Sequence, residues 1–314
     1  MNILVSGVAS DIGFGVGRIL RSNDWKGEIH GIDIQSDHAG TSIYDYCTVA
    51  PRADEAYYLN WLEEYIINNN IKIFIPTSEA EISKIVQGGL NKIADAIIVK
   101  TNDLVVEKSL DKHECLEYLA LCRIVVPKYG LLKESRPTVY PVIVKPRSGQ
   151  GSKRVSKVYS ESELPLDLDG SLVWQEYLSP DNEEYTCPVF RSPVTGTRML
   201  IIKRELQGGF TSKGEVIDNI HIKKYVESIA IALNLDGVMN VQLRLTKEGP
   251  KLFEINPRLS STLVFRDKMG FTDLKWLLSQ HLGMPISSYT PPITGTRFYR
   301  GVQEYIHLPE TIYE

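Results

Sequence analysis

The 314-residue sequence predicts an α/β domain followed by an α+β region. Over about the first hundred residues, short apolar strands alternate with helical stretches, and such βαβα repetition is typical of a parallel sheet covered by helices on both faces. From about residue 108 the rhythm changes to runs of strands with few helices between them. We therefore expect an N-terminal domain of residues 1–107 and two further subdomains, of residues 108–178 and 179–314.

The first domain contains four predicted strands and three predicted helices. Each strand is a short apolar or alternating run, and each helix carries apolar residues at helical spacing. The strands are predicted at residues 3–5, 28–34, 71–75 and 97–99, and the helices at residues 11–21, 53–68 and 80–90.

The remaining chain is predicted to be rich in strands. A helix over residues 110–121 precedes strands at residues 141–145, 154–159, 172–177, 185–190 and 198–205. A long helix over residues 217–233 then leads into two strands, 238–245 and 251–255, which the turn Thr-Lys-Glu-Gly-Pro joins into a hairpin. Two helical stretches follow between residues 261 and 281.

The composition is that of an ordinary globular protein, with 43% hydrophobic and 24% charged residues. A net charge of −4 suggests no nucleic-acid or membrane-surface partner. The four cysteines form no Cys-x-x-Cys pair and the six histidines are scattered, so neither a zinc site nor a disulfide framework is expected. The N-terminus lacks a signal-peptide pattern and no window approaches 18 apolar residues, so we expect a cytoplasmic enzyme.

Several glycines crowd the first strand-to-helix turn, and Asp33 ends the second strand about twenty residues later, as in dinucleotide sites. The glycines are Gly7, Gly13, Gly15 and Gly17. The spacing does not fit that fingerprint, because counting from Gly7 puts Ala9 at its second glycine. A turn that packs strand against helix is therefore favoured over a bound dinucleotide.

A lysine interrupts an apolar strand just before a glycine-containing loop, in the segment VIVKPRSGQGSKRV of residues 142–155. Burying the ammonium of Lys145 requires an anionic partner. The loop is rich in small residues whose backbone N–H groups can surround phosphate oxygens, namely Ser148, Gly149, Gly151 and Ser152. Taken alone, a phosphate site and an exposed hairpin with a solvated lysine remain equally open, and Lys112 at a helix start is by itself typical of a surface residue.

Polar residues lie within or at the ends of three later predicted strands. The stretch Trp174–Leu178 closes a strand between the two subdomains, where backbone donors and acceptors could bind an adenine edge. An interdomain strand with no special chemistry is the alternative. In the hairpin, Asn240 and Gln242 share one face because residues two apart in a strand do so. Glu254 and Asn256 share a face of the neighbouring strand, with Arg258 just beyond. This oxygen-rich cluster suits a hard cation such as Mg²⁺ better than it suits the plain polar face of a hairpin.

Together these motifs resemble those of the ATP-grasp superfamily. They occur in the order Asp111-Lys112, VIVKPRSGQGSK, QEYL, MNVQ and EINPR, across about residues 108–285. In particular they look like the large-subunit halves of carbamoyl-phosphate synthase and the related carboxylate–amine ligases. The preceding domain is similar to the Rossmann-like pre-ATP-grasp domain of such proteins. The resemblance implies a two-subdomain ATP-grasp fold behind that domain.

The resemblance also implies a role for each matched residue. ATP phosphates would be contacted by Lys112 and Lys145, beneath a lid of residues 148–153 that includes Ser148, Gly149, Gly151 and Ser152. Adenine would be bracketed, chiefly through backbone atoms, by Gln175, Glu176 and Leu178, and the ribose would be bound by Glu184. One or two Mg²⁺ ions would be held by Gln242, Glu254 and Asn256. The phosphoryl group in transfer would be stabilised by Arg258 together with Lys145.

Two residues depart from the pattern of many members. Gln175 stands where many have glutamate, which matters little if backbone atoms read the adenine. Gln242 stands where many ligases have an acid, although the carbamoyl-phosphate synthase type has glutamine. One charge fewer should weaken a second metal ion. Since the chain has no second synthetase half, we do not expect it to make carbamoyl phosphate by itself.

The function implied is an ATP-dependent carboxylate–amine ligase that forms an amide through an acyl phosphate and releases ADP and phosphate. A phosphotransferase on the same fold and a nucleotide-binding regulatory module are the alternatives, and the intact set of Lys145, Glu254, Asn256 and Arg258 argues against the module. The partners expected are a small carboxylate and an amine, with homo-oligomerisation left open. Arg266, residues 297–307 and the segment GGFTSKG of residues 208–214 are weaker candidates for the acceptor or phosphate pocket.

Overall fold

The first sheet has six strands, five of them parallel. The computed structural model of the protein describes residues 1–149, 154–208 and 210–306. The strands are β1 (Asn2–Ser6), β2 (Ile29–Asp33), β3 (Tyr46–Val49), β4 (Ile71–Ile75), β5 (Lys92–Ile93) and β6 (Ala96–Ile98), and the helices are α1 (Asp11–Ser22), α2 (Tyr58–Asn68) and α3 (Glu79–Gln87). The spatial order is β3-β2-β1-β4-β6-β5, with β5 antiparallel to β6. The apolar run in β1 reflects its place between β2 and β4, where both faces are covered.

The glycine-rich turn after β1 is closely packed. A Cβ atom on Gly13 would lie 2.3 Å from the Gly7 carbonyl oxygen, so only glycine fits there. The carboxylate of Asp33 accepts hydrogen bonds from the backbone N–H groups of Ala9 (2.9 Å) and Gln35 (3.0 Å). These contacts favour a glycine turn that packs strand against helix over a dinucleotide site.

The second sheet is small and antiparallel. Its strands are β7 (Tyr129–Leu131), β8 (Val142–Pro146), β9 (Ser156–Val158) and β10 (Leu172–Glu176), in the order β7-β10-β8-β9. Two helices precede it, α4 (Asp103–Ser109) and α5 (Lys112–Leu121). The Asp111 side chain caps α5 by accepting from the backbone N–H groups of His113 and Glu114, and it also pairs with Arg147 at 2.7 Å. The start of α5 is thereby held against the end of β8.

The third sheet is larger and also antiparallel. Its strands are β11 (Glu184–Ser192), β12 (Gly196–Met199), β13 (Ile202–Gln207), β14 (Phe210–Val216), β15 (Gly237–Thr246), β16 (Gly249–Asn256) and β17 (Arg297–Tyr299). The order is β16-β15-β11-β13-β14-β17, with β12 beside β11. The helices of this region are α6 (Ile220–Ala232), α7 (Leu263–Lys268) and α8 (Asp273–His281).

Two hydrophobic clusters attach the other regions to the third sheet. One contains apolar residues of α5, α6 and the buried face of β15 and β16. The other joins α1 and β1 to α7, α8 and the far side of the sheet. The third sheet therefore provides the frame against which the α5 side and the first sheet are positioned.

The predicted parallel sheet and the strand-rich remainder are confirmed, with local differences at several elements. The helix predicted from residue 53 begins at Tyr58, after a turn in which the Glu55 N–H donates to the Arg52 carbonyl oxygen. The strand predicted over residues 198–205 is divided into β12 and β13 at Leu200, whose N–H donates to Pro188 of β11. The strand predicted over residues 154–159 is limited to β9, and α4, β3, β5, β7, β14 and β17 were not predicted. No described helix has the length and apolar character needed to cross a bilayer.

Candidate active site

A cavity of about 560 Å³ lies between the second and third sheets. Ten of the residues predicted to form the site line it: Lys112, Lys145, Ser148, Gly149, Gln175, Glu176, Leu178, Glu184, Gln242 and Glu254. Gly151 and Ser152 lie outside the described residues. Among those described, Asn256 and Arg258 do not line the cavity. Residues far apart in the sequence therefore meet at one place.

Two lysines converge at one end of the cavity. Lys145 is buried on β8, and its Nζ donates to the Phe253 carbonyl oxygen at 2.8 Å. Burial lowers the pKa of Lys145 to about 8, although the nearby Glu254 carboxylate partly opposes that shift. Lys112 donates through Nζ to the Gly149 carbonyl oxygen at 2.8 Å. A buried ammonium with a neutral hydrogen-bond partner is well suited to receive an anion.

The loop after β8 passes the same end of the cavity. Ser148 and Gly149 line it, and Gly149 has φ = +108°, a conformation that favours glycine. A Cβ atom on Gly149 would meet nothing within 4 Å, so backbone conformation, not space, is the reason for glycine at this position.

Strand β10 provides one wall. The Gln175 side chain is buried, and its Oε1 accepts no hydrogen bond from the described residues. The Glu176 carboxylate is held by Lys251 Nζ at 2.7 Å and by the Lys128 N–H at 2.8 Å. Since both carboxylate oxygens of Glu176 already accept a hydrogen bond, its backbone is the better placed part to bind a ligand. Leu178 is buried at the end of this wall.

The opposite wall contains a cluster of one carboxylate and two arginines. Glu184 accepts from Arg204, at 3.1 Å from Nε and 2.9 Å from Nη2, and from Arg244 Nη2 at 3.2 Å. Arg244 also donates through Nη1 to the Leu178 carbonyl oxygen at 2.6 Å. Arg244 therefore links the third sheet to the end of β10.

The predicted metal-binding residues occupy one face of the hairpin formed by β15 and β16. Gln242 lies opposite Glu254, and Asn240 lies opposite Asn256. The other face packs against α6 through Val241, Leu243, Leu252 and Ile255. Residues 254–256 of β16 therefore keep the two-residue periodicity that the sequence predicted, and a bulge at Phe253 shifts the register so that Leu252 shares the face of Ile255.

Neighbouring side chains already bind several of these groups. The Gln242 Oε1 accepts from Arg204 Nη2 at 2.9 Å. Asn240 accepts from Thr186 Oγ1 at 2.9 Å. The buried Nδ2 atoms of Asn240 and Asn256 have no hydrogen-bond partner among the described residues. Buried amide groups without partners are costly and are often found where a ligand binds.

Arg258 contacts the first domain and is not among the described residues that line the cavity. Its Nη2 forms an ion pair of 2.7 Å with Glu79 at the start of α3, and both side chains are largely buried. The role predicted for Arg258 in phosphoryl transfer stays a prediction. Arg266 is almost completely buried and pairs with Asp273 at 2.7 Å, so it is a core residue and is not among the described residues that line the cavity.

Arg204 and Arg244 were not predicted as site residues. Arg244 lies two residues after Gln242, so strand periodicity could have placed it on the same face. Arg204 follows Lys203 in β13, and the sequence does not show which of the two cations faces the cavity. In the structure Arg204 contacts Glu184 and Gln242. Arg204 has a side chain only 7% exposed, whereas that of Lys203 is 39% exposed.

Comparison with known proteins shows one matching family model and several similar solved structures. The family model described as "ATP-grasp in the biosynthetic pathway with Ter operon" matches residues 170–302. N5-carboxyaminoimidazole ribonucleotide synthetase from Thermus thermophilus is similar in structure, with a TM-score of 0.72 at 14% identity over 93% of this chain and 81% of that one.

Two further enzymes have similar structures. L-amino acid ligase from Bacillus licheniformis has a TM-score of 0.68 at 15% identity, over 90% of this chain and 74% of that one. Biotin carboxylase from Campylobacter jejuni, solved as a complex with βγ-ATP, has a TM-score of 0.71 at 12% identity, over 94% of this chain and 74% of that one. At these identities the likeness establishes the shared fold.

Proposed function

Because the chain has the ATP-grasp fold, we propose that the protein is an ATP-dependent carboxylate–amine ligase. The observation that carries this proposal is the cavity in which the buried Lys145 lies near the Glu254 carboxylate, between two antiparallel sheets. Solved relatives named as a ligase, a synthetase and a carboxylase support the same reaction class. The substrates would be a small carboxylate and an amine.

The proposed reaction has two steps. A carboxylate oxygen attacks the γ-phosphorus of ATP, the bond to the bridging oxygen breaks, and ADP leaves. The amine then attacks the acyl carbon of the resulting acyl phosphate, phosphate leaves, and the nitrogen loses a proton to water. Most of the catalysis would come from positioning and from neutralising phosphate charge.

The residues of the cavity would divide this work. Lys112 and Lys145 would bind phosphate oxygens, and the backbone of residues 175–178 would bind the adenine. Glu184 would bind the ribose hydroxyls through carboxylate lone pairs that its two arginine partners do not occupy. Arg258, which lies outside the cavity lining beside Glu79, would act at the acceptor end, on the acyl phosphate.

The donor set fits a hard cation shared with the nucleotide. The described residues contain no cluster of three or more His, Cys, Asp or Glu side chains that could hold a metal alone. Glu254 provides one carboxylate in the cavity, and Mg²⁺ commonly uses one or two carboxylates together with substrate phosphates. Such an ion would draw electron density from the phosphate oxygens, and Glu254 and Asn256 would hold it.

We expect an acyl phosphate that hydroxylamine can intercept. Phosphate release from ATP and Mg²⁺ is measured first across a panel of carboxylates crossed with amines. The active carboxylate is then incubated with and without hydroxylamine, and the nucleotide product is identified. ADP with a hydroxamate supports the ligase. ADP with a stable phosphorylated product and no hydroxamate indicates the phosphotransferase, and AMP as the main product would contradict the placing of the phosphate-transfer residues.

Nucleotide affinity is expected to fall as the pH rises through about 8. Burial lowers the pKa of Lys145 to about 8, and an anion binds the protonated form. Affinity should therefore be nearly constant from pH 7 to 7.5 and decrease above pH 8. Titration calorimetry with ADP in the absence of metal measures this, and Lys145→Met should remove the dependence. A flat profile for the unsubstituted protein would contradict the assignment of Lys145 to the phosphates.

A further inference from the structure

Arg204 lines the cavity, and the proposed reaction assigns it no role. Its guanidinium is almost fully buried and donates three hydrogen bonds, two to Glu184 and one to Gln242. It therefore joins the carboxylate placed at the ribose to the amide placed at the metal. Among the described residues, no protein atom accepts a hydrogen bond from Nη1, which leaves that nitrogen for a ligand. Arginine is well matched to phosphate because its planar donors are fixed in direction.

The contact with Gln242 bears on metal binding. The carbonyl oxygen of Gln242 is the atom that would ligate a second cation, and it already accepts from Arg204 Nη2 at 2.9 Å. A divalent ion on the same oxygen would lie close to a guanidinium charge in a partly desolvated site, where like charges repel strongly. Glu254, opposite Gln242, differs in that no cationic side chain of the described residues forms a hydrogen bond or ion pair with its carboxylate, and Lys145 acts on it only through space.

The charges that line the cavity agree with a single ion. Five cationic side chains and three carboxylates of the described residues face it: Lys112, Lys145, Arg154, Arg204, Arg244, Glu176, Glu184 and Glu254. The lining is thus net positive. ATP with one Mg²⁺ remains an anion and complements that lining, whereas a second Mg²⁺ would bring the nucleotide close to neutrality.

We infer that Arg204 takes the place of a second metal ion, and that Gln242 positions Arg204 instead of ligating metal. This inference rests on the proposed function, since it assumes ATP in the cavity. The protein then binds one divalent ion per nucleotide, on the Glu254 side. The positive charge on the Gln242 side is supplied by a side chain that needs no ion from solution.

The stoichiometry of bound metal tests this inference without any measurement of turnover. The full chain is dialysed to equilibrium against Mn²⁺ and a non-hydrolysable ATP analogue, and the metal and analogue retained by the protein are both measured. One Mn²⁺ per bound analogue at saturation is expected. Two Mn²⁺ per analogue would overturn the inference. Absence of analogue binding would instead contradict the proposed function, so the two failures are distinguishable.

Substitutions identify the residues responsible. Arg204→Met should weaken binding of the analogue by about tenfold to a hundredfold. The double substitution Arg204→Met with Gln242→Glu removes the guanidinium and adds a carboxylate, and it should raise the ratio to two Mn²⁺. Lys203→Met is the matched control, since it removes the adjacent cation of β13. Lys203 pairs with Glu183 and is not among the described residues that line the cavity.

The control should bind both ligands as the unsubstituted protein does. Thermal unfolding of each variant shows whether it remains folded. If Arg204→Met binds the analogue normally while folded, or if the double variant still retains one Mn²⁺ beside normally bound analogue, Arg204 does not replace a metal ion.

Discussion

Replacing Lys145 by alanine is expected to weaken ATP binding by about 1.5–3 kcal/mol, or roughly 10- to 150-fold in Kd. The ammonium is buried beside a neutral carbonyl oxygen, so a phosphate would be its main anionic partner besides Glu254. Removing it deletes a charge-assisted contact in a desolvated place. Titration calorimetry with ATP, together with a thermal unfolding curve, measures the effect.

A surface lysine on another strand provides the control. Lys72 of β4 lies in an exposed ion pair with Asp95, far from the cavity lining, and Lys72→Ala should leave ATP affinity unchanged. Unchanged affinity in a folded Lys145→Ala variant would show that this lysine does not contact the phosphates.

Substituting Glu254 by glutamine is expected to abolish Mg²⁺-dependent turnover, with a decrease of about a hundredfold or more. Glu254 is the carboxylate on the face of the hairpin that we propose to bind metal, and its charge cannot be replaced by Gln242 opposite. Gln242→Ala should have a milder effect, because it removes a neutral group. The rate is measured as ADP formation across a series of Mg²⁺ concentrations.

The same hairpin contains a control carboxylate. Glu248 is exposed in the turn and pairs with Lys251 at 2.7 Å, so Glu248→Gln should retain turnover. Equal losses in the Glu254 and Gln242 variants, or full activity without a divalent ion, would be incompatible with metal on Glu254.

Strand periodicity made much of the candidate site predictable. Lys145 stands out because an ammonium interrupts an apolar strand, and such a residue needs a local reason. The pair Gln242 and Glu254 could be placed opposite each other because a tight turn joins their strands. Both features depend on residues close together in the sequence.

The contacts of Arg258 could not be predicted in the same way. Its partner Glu79 is 179 residues away and belongs to a helix of the first domain. A motif that ends a strand shows that an arginine is present, but it does not show which helix terminus lies against it. The position of Arg258 relative to the cavity is therefore a property of domain packing.

Local sequence patterns were sufficient to predict the class of each region, the parallel first sheet and the unusual polar positions Lys145, Gln242 and Glu254, because hydrophobic period and turn chemistry depend on neighbouring residues. The partners of those residues depend on how the strands are ordered in the folded protein. Glu184 lies opposite Arg244 because β11 pairs with β15, and Arg204 reaches Glu184 because β13 lies on the other side of β11. A charged side chain pairs with the opposite charge that the strand order places within a few ångströms of it. The strand order is set by burial of the whole sheet.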